Sequence, residues 1–275
     1  MSRFRNFIIA FLILNSIGKS AFANDTGSIL DHTIGAKFNN VQNSLEQKGY
    51  SVSILKQNYK VDPSKVFDSF LVATGPKSEK VRKDELVFVS DLHPYAPQSI
   101  AITREILYNP GQGPSLEKFR NDLMELMGPS SIEYNEPKSS MTNVYSFKYR
   151  WSSSQLEKDN PMTRKCLENS ALRPNPEVQG ASLGHHKVLV FAREGQKIMR
   201  HDLTKQDVIF FNRSCYRLGY VRIEVNTDSQ LVNLARISLI DHSRISFAIY
   251  DFREWYAKAK LSYNSNENKG AVPDN

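Results

Sequence analysis

Apolar residues recur along the chain at two periods. Intervals of three and four place Phe38, Val41 and Leu45 on one side of a helix, and the same intervals return at Leu116, Phe119, Leu123, Leu126 and Met127. In the first helix Asn39 stands at a cap position with Gln42 three residues on, the spacing of a capping box. Ser115 caps the second, and Gly49 and Gly128 sit where helices stop. Leu116 follows Phe38 by 78 positions, each helix is followed by strand-like sequence, and the pattern therefore allows an internal repeat. A third helix is expected over Ile245 to Leu261, with Ile249, Phe252, Tyr256 and Ala259 as its apolar stripe.

The other period is two. Tyr50 to Leu55, Phe67 to Ala73, Leu86 to Ser90 and Ser99 to Tyr108 are short runs of β-branched and aromatic residues bounded by Pro, Gly, Asp and Lys. In the last of these Ile100, Ile102, Ile106 and Tyr108 share a face, with Thr103 and Glu105 opposite. Tyr145, Phe147, Tyr149 and Trp151 alternate with polar residues and predict the clearest strand. Val208 to Val225 and Leu234 to Ile240 follow, with Val188 to Ala192 as a partner for the latter. Within 208–225 the apolar phase shifts at Gly219, which predicts a bulge or bend. The expected fold is α+β, a mostly antiparallel sheet with helices packed on one face. Its units are 29–110 and 111–262, with a long loop at 152–185 and a polar, disordered tail at 263–275.

The N-terminus changes the setting. Arg3 and Arg5, the apolar run from Phe7 to Ile17 and the Ala21-Phe22-Ala23 site read as a secretory signal peptide over residues 1–23, cleaved before Asn24. The run is shorter than the roughly 20 residues that cross a bilayer. No later stretch spans a membrane, and no Cys follows the cut to carry a lipid. The expected location is the periplasm or the medium. Losing Arg3, Arg5 and Lys19 takes the formal charge from +7 to +4, and the remaining cations are interspersed with acids, as in Lys77 to Glu85. Nucleic acid is thus not an expected partner. The two cysteines, Cys166 and Cys215, are 49 positions apart and read as a disulfide in an exported chain. Closing such a loop contributes on the order of 4 kcal/mol. Free buried thiols, or half of a metal site, are the alternatives.

Candidate chemistry is sparse. His185-His186 lacks a third ligand at suitable spacing, and neighbours in an extended segment point opposite ways. Asp31-His32, His201-Asp202 and Asp241-His242 are acid–imidazole neighbours, yet adjacency seldom aims two side chains at each other. Gly111-Gln112-Gly113 precedes a helix without the third glycine or the lysine of a phosphate loop, so it reads as a turn. The aromatic face from Tyr145 to Trp151 is either a ligand platform or core, and strand spacing favours core. No catalytic, metal-binding or cofactor-binding residue is assigned, and no cofactor is expected.

Gly35 to Tyr50, Pro114 to Ser130, Trp151, Cys166 and Cys215 together resemble a diffuse group of exported proteobacterial proteins without an assigned activity. In that group a capped helix ending in Gly-Tyr, strands, a second capped helix, a Trp-bearing strand and two late cysteines follow in order. The helix-then-sheet unit is also similar to small outer-membrane assembly lipoproteins and to β-lactamase-inhibitor-type repeats. Here the lipid-bearing Cys of the former is missing, and neither resemblance brings a catalytic residue. These features imply a binding or protein-interaction module of the cell envelope, with another protein or envelope component as partner. The alternatives are an exported hydrolase whose catalytic groups meet only in three dimensions, and a secreted effector acting on a host.

Overall fold

The computed structural model describes residues 28–59, 61–91, 97–130, 132–151 and 217–270. Helix α1 (Phe38–Gln47) leads into strands β1 (Ser51–Tyr59), β2 (Asp62–Thr74), β3 (Val81–Ser90) and β4 (Ser99–Tyr108). Helix α2 (Leu116–Met127) leads into β5 (Ile132–Ser139), β6 (Thr142–Trp151), β7 (Arg217–Asn226) and β8 (Val232–Asp241), and α3 (His242–Gly270) ends the described chain. All eight strands form one antiparallel sheet in the order β1-β2-β3-β4-β8-β7-β6-β5. The last strand after each helix therefore meets its counterpart at the centre, where Arg104 lies opposite Ile237.

Both early helices bury the stripe that their spacing predicts, except that Leu126 of α2, expected on that stripe, is exposed. Phe38, Val41 and Leu45 of α1 and Phe119, Leu123 and Met127 of α2 join one core with Leu71, Phe88, Ile102, Val221, Ile223 and Leu239 from the sheet. Each helix start is stitched to the start of a central strand by two backbone bonds. Ser99 N donates to Ala36 O at 2.9 Å and Phe38 N to Pro97 O at 3.1 Å, while Val232 N donates to Pro114 O and Leu116 N to Gln230 O, both at 2.9 Å.

The caps differ from each other. Ser115 Oγ accepts from Lys118 N at 3.2 Å, as expected for an N-cap. Asn39, by contrast, lies inside α1; the cap residue is Lys37, without a side-chain cap bond, so the Asn39/Gln42 capping box does not form. The backbone bond to Pro97 satisfies the free Phe38 donor of this helix start from outside the helix. Ser115→Ala is expected to cost about 1 kcal/mol, seen as a lower denaturation midpoint at unchanged m-value. A loss of no more than a few tenths would show that the backbone stitch to Gln230 fixes this helix start unaided.

The sheet is covered on both faces, which corrects the expectation of helices on one face. Phe70, Val87, Val89, Leu218 and Ile240 alternate with the core residues above, so they point the other way, and they are buried too. Helix α3 lies on that side, with Phe252 and Trp255 ring-to-edge against Phe67 at 6.1 and 4.9 Å. The apolar phase change near Gly219 has the same origin. β7 pairs with both neighbours without a shift at Gly219, and its one irregularity falls at Glu224/Val225, so the expected bulge is absent. Leu218 faces the α3 side, whereas Val221, Ile223 and Val225 face α1 and α2.

Two further expectations change. Residues 263–270, expected in the disordered tail, continue α3, since neither Gly nor Pro interrupts the sequence before Gly270. Strand β5 was not legible, because Ile132–Ser139 carries Glu133, Glu136, Pro137 and Lys138. It is an edge strand, where proline and charge block further pairing. The 152–185 loop and the Val188 to Ala192 strand lie outside the described residues.

Candidate functional site

A polar cluster sits on the α1/α2 face, beside the centre of the sheet. Gly49, in the left-handed region at φ 82°, ends α1 and turns the chain into Tyr50. The Tyr50 ring occupies space left by Gly75, where a Cβ would stand 2.8 Å from Tyr50 Cε1 and 3.2 Å from Asp84 Cβ. Tyr50 donates its hydroxyl to Asp84 Oδ2 at 2.6 Å. Arg104 donates through Nε to Oδ1 at 2.9 Å and through Nη2 to Oδ2 at 2.7 Å, a two-pronged ion pair. Tyr108, four residues along β4 on the same face, packs against the core. Its ring lies 3.4 Å from where a Gly113 Cβ would be, so it reaches the entrance of α2.

The side chains of Asp84 and Arg104 are 10% and 16% exposed, so the pair is largely out of water yet not sealed. Burial raises the pKa of Tyr50 well above its ordinary value, against the pull of the Arg104 charge. Burial raises that of Tyr108 as well. Burial opposes the charge on Arg104, but the hydrogen bonds and charge of Asp84 outweigh it and hold the guanidinium more firmly protonated. Among the described residues no hydrogen bond reaches Arg104 Nη1 or the Tyr108 hydroxyl. The cluster thus offers unclaimed N–H and O–H donors beside an internally neutralised ion pair. It suits an acceptor oxygen on a ligand better than a free anion.

On the opposite face Glu105 is held by Arg236, through Nε at 2.9 Å and through Nη2, and by Lys83 at 3.0 Å. Burial works against the Glu105 charge, yet Arg236 and Lys83 together keep its pKa below the usual carboxylate range. Lys83 also lies 3.4 Å from Glu85. These charges satisfy one another across β3, β4 and β8, which is a structural role.

Of the residues singled out by sequence, Ala21, Ala23, Asn24, Cys166, Cys215, His185, His186, His201 and Asp202 lie outside the described residues. Asp31 and His32 form no dyad: Asp31 pairs with Lys48 at 3.1 Å, and the buried His32 ring stands edge-on to Phe88 at 5.6 Å. Asp241 accepts from Arg244 N at 3.0 Å through Oδ1, capping α3, and ion-pairs with Arg217 and Arg244. Gly111-Gln112-Gly113 is a turn, closed by Gln112 N donating to Asn109 O at 3.0 Å. From Tyr145 to Tyr149 the aromatic face of β6 is core: Phe147 and Tyr149 are buried, Tyr145 packs against that core, and Arg120 of α2 lies 5.4 and 5.5 Å over the Tyr145 and Phe147 rings. Burial, helped by Glu133, pushes the Tyr149 hydroxyl up to about 12.

Sequence reasoning passed over Tyr50, Asp84, Arg104 and Tyr108. The readable signal was Arg104 itself, a charge in the middle of the apolar face formed by Ile102, Ile106 and Tyr108. Among the described residues no group of three or more His, Cys, Asp and Glu side chains converges to hold a metal, and no helix is long and apolar enough to cross a membrane. No protein-family model, no curated protein and no solved structure matches the chain.

Proposed function

We propose that the chain is an exported, soluble binding or protein-interaction module of the cell envelope, and that it recognises its partner through the cluster of Tyr50, Asp84, Arg104 and Tyr108. In this reading residues 1–23 are removed in transit and Cys166 pairs with Cys215. The body of the protein is two copies of one helix-plus-four-strand unit, the internal repeat that the matching helix stripes allow. What supports duplication is the backbone stitching. Ala36, Phe38, Pro97 and Ser99 correspond to Pro114, Leu116, Gln230 and Val232 with one constant offset for the helices and another for the strands. The second offset also carries Arg104 onto Ile237, its direct partner across the central pair, so a pseudo-twofold axis passes between them.

The observation that carries the binding role is that asymmetry. Where one unit places an ion pair and two tyrosines in its core, the other places an apolar Ile237 at the position matching Arg104. A buried ion pair is a poor way to gain stability. A charge kept beside unclaimed donors is therefore accounted for by recognition. The donors fit a peptide carbonyl or side-chain amide oxygen on a protein partner.

The test is affinity capture from envelope extract with the processed chain, comparing wild type with Tyr108→Phe. The protein recovered from cells should begin at Asn24. The variant loses one hydroxyl that has no described partner, so its stability should match wild type. Capture of the specific partner should fall about three- to tenfold, the worth of one hydrogen bond. Identical captured sets from the two proteins would sink the assignment of this site.

A further inference from the structure

We propose that residues 28–36 form an acid-released latch over one end of the core, with His32 as its proton-sensitive pin. The segment folds back on itself through Ile29 N to His32 O and His32 N to Ile29 O, both 3.0 Å. Its two turn residues, Leu30 and Asp31, both lie in the left-handed region, at φ 50° and 65°. Neither is glycine, so the turn is strained and is held from outside. Lys48, just past α1, does the holding. Its Nζ donates to Leu30 O and pairs with Asp31 Oδ2, each at 3.1 Å.

Beneath the turn Ile29 and Ile34 belong to the same core as Phe38 and Phe88. His32 is buried as well, 7% exposed, with its ring edge on Phe88 and no hydrogen-bond partner for Nε2. The charged groups that face it are Lys48, which repels a proton, and Asp31, which attracts one but is turned toward Lys48. Arg244 of α3 stands at the far end of the segment, against Gly35. A neutral imidazole tolerates this place. An imidazolium would carry a second N–H donor into apolar surroundings with nothing to accept from it.

Burial first, and Lys48 second, hold the His32 pKa below its ordinary 6.5. The open segment binds a proton more readily than the closed one, so closure is most stable above pH 6.5 and weakens as pH falls toward the lowered closed-state value. Opening swings out Ile29 and Ile34 and bares the Phe88 end of the core. An exported protein meets the acidity of its surroundings directly, which gives such a latch something to sense.

Amide hydrogen exchange on the full chain at pH 7.5 and pH 5, corrected for intrinsic rates, tests this. Protection over 28–36 should fall by up to about tenfold for each pH unit between 6.5 and the lowered value, while protection over β6–β8 stays unchanged. His32→Phe, which restores the edge contact without the nitrogen, should abolish the pH dependence. His32→Gln, smaller and neutral, should abolish it as well if phenylalanine overfills the site. Equal protection at both pH values overturns the latch. So does a pH-dependent loss that persists in both variants, or one that spreads evenly over the whole sheet.

Discussion

Gly113→Ala is expected to destabilise the protein by about 3 kcal/mol or more, lowering the melting temperature by about 6–12 °C for a domain of this size. A Cβ at Gly113 would stand 1.8 Å from Val232 O and 2.9 Å from the Val232 carbonyl carbon. Those are backbone atoms of a central strand, so no side chain can step aside. The chain must part there, and parting breaks the bonds from Val232 N to Pro114 O and from Leu116 N to Gln230 O that seat α2 on the sheet. Gly111, two residues earlier, serves as the comparison. It has nothing within 4 Å of a Cβ and needs only its φ of 73°, so Gly111→Ala should cost only about 1–2 kcal/mol. Thermal or denaturant unfolding of the two variants measures both costs. Equal, small losses would mean that α2 is not seated through this close approach.

That contrast bears on what could be read from the residues alone. Gly111-Gln112-Gly113 was legible as a turn rather than a phosphate loop, but a close approach to Val232, more than a hundred residues away, leaves no trace in local spacing. Helical period found α1 and α2 closely, because each buries one stripe against one surface. Strand signals found β4 end to end, because its β-branched run is bounded by Pro97 on one side and Asn109-Pro110 on the other. It misled at Gly219, since a strand covered on both faces is apolar in both phases and imitates a bulge. The edge strand β5 escaped because an edge needs no apolar face, only a neighbour. The polar cluster escaped for a different reason. Its four members come from the end of α1, from β3 and from β4, and a sheet register is needed before Asp84 and Arg104 can be seen as neighbours.

Asp84→Leu should be the costliest change in that cluster, about 3–5 kcal/mol. It leaves the Arg104 guanidinium, only 16% exposed, without its counter-charge, and it strips the Tyr50 hydroxyl of its acceptor. Arg104→Met should cost a similar amount by stranding the Asp84 carboxylate. The double variant should behave differently. With both charges gone the desolvation penalty disappears, so stability should return to within about 1 kcal/mol of wild type or exceed it. Ile237 already shows that an apolar side chain fits the matching position across the centre of the sheet. A double-mutant cycle by denaturant unfolding reads the coupling, expected at several kcal/mol and far above the roughly 0.5 kcal/mol seen for independent sites. Single variants that each lose less than about 1 kcal/mol would identify the pair as a water-screened contact. The double variant then separates stability from recognition. A protein as stable as wild type that no longer captures the partner proposed above would show that this ion pair is kept for what it binds, whereas undiminished capture would return the cluster to the core as packing.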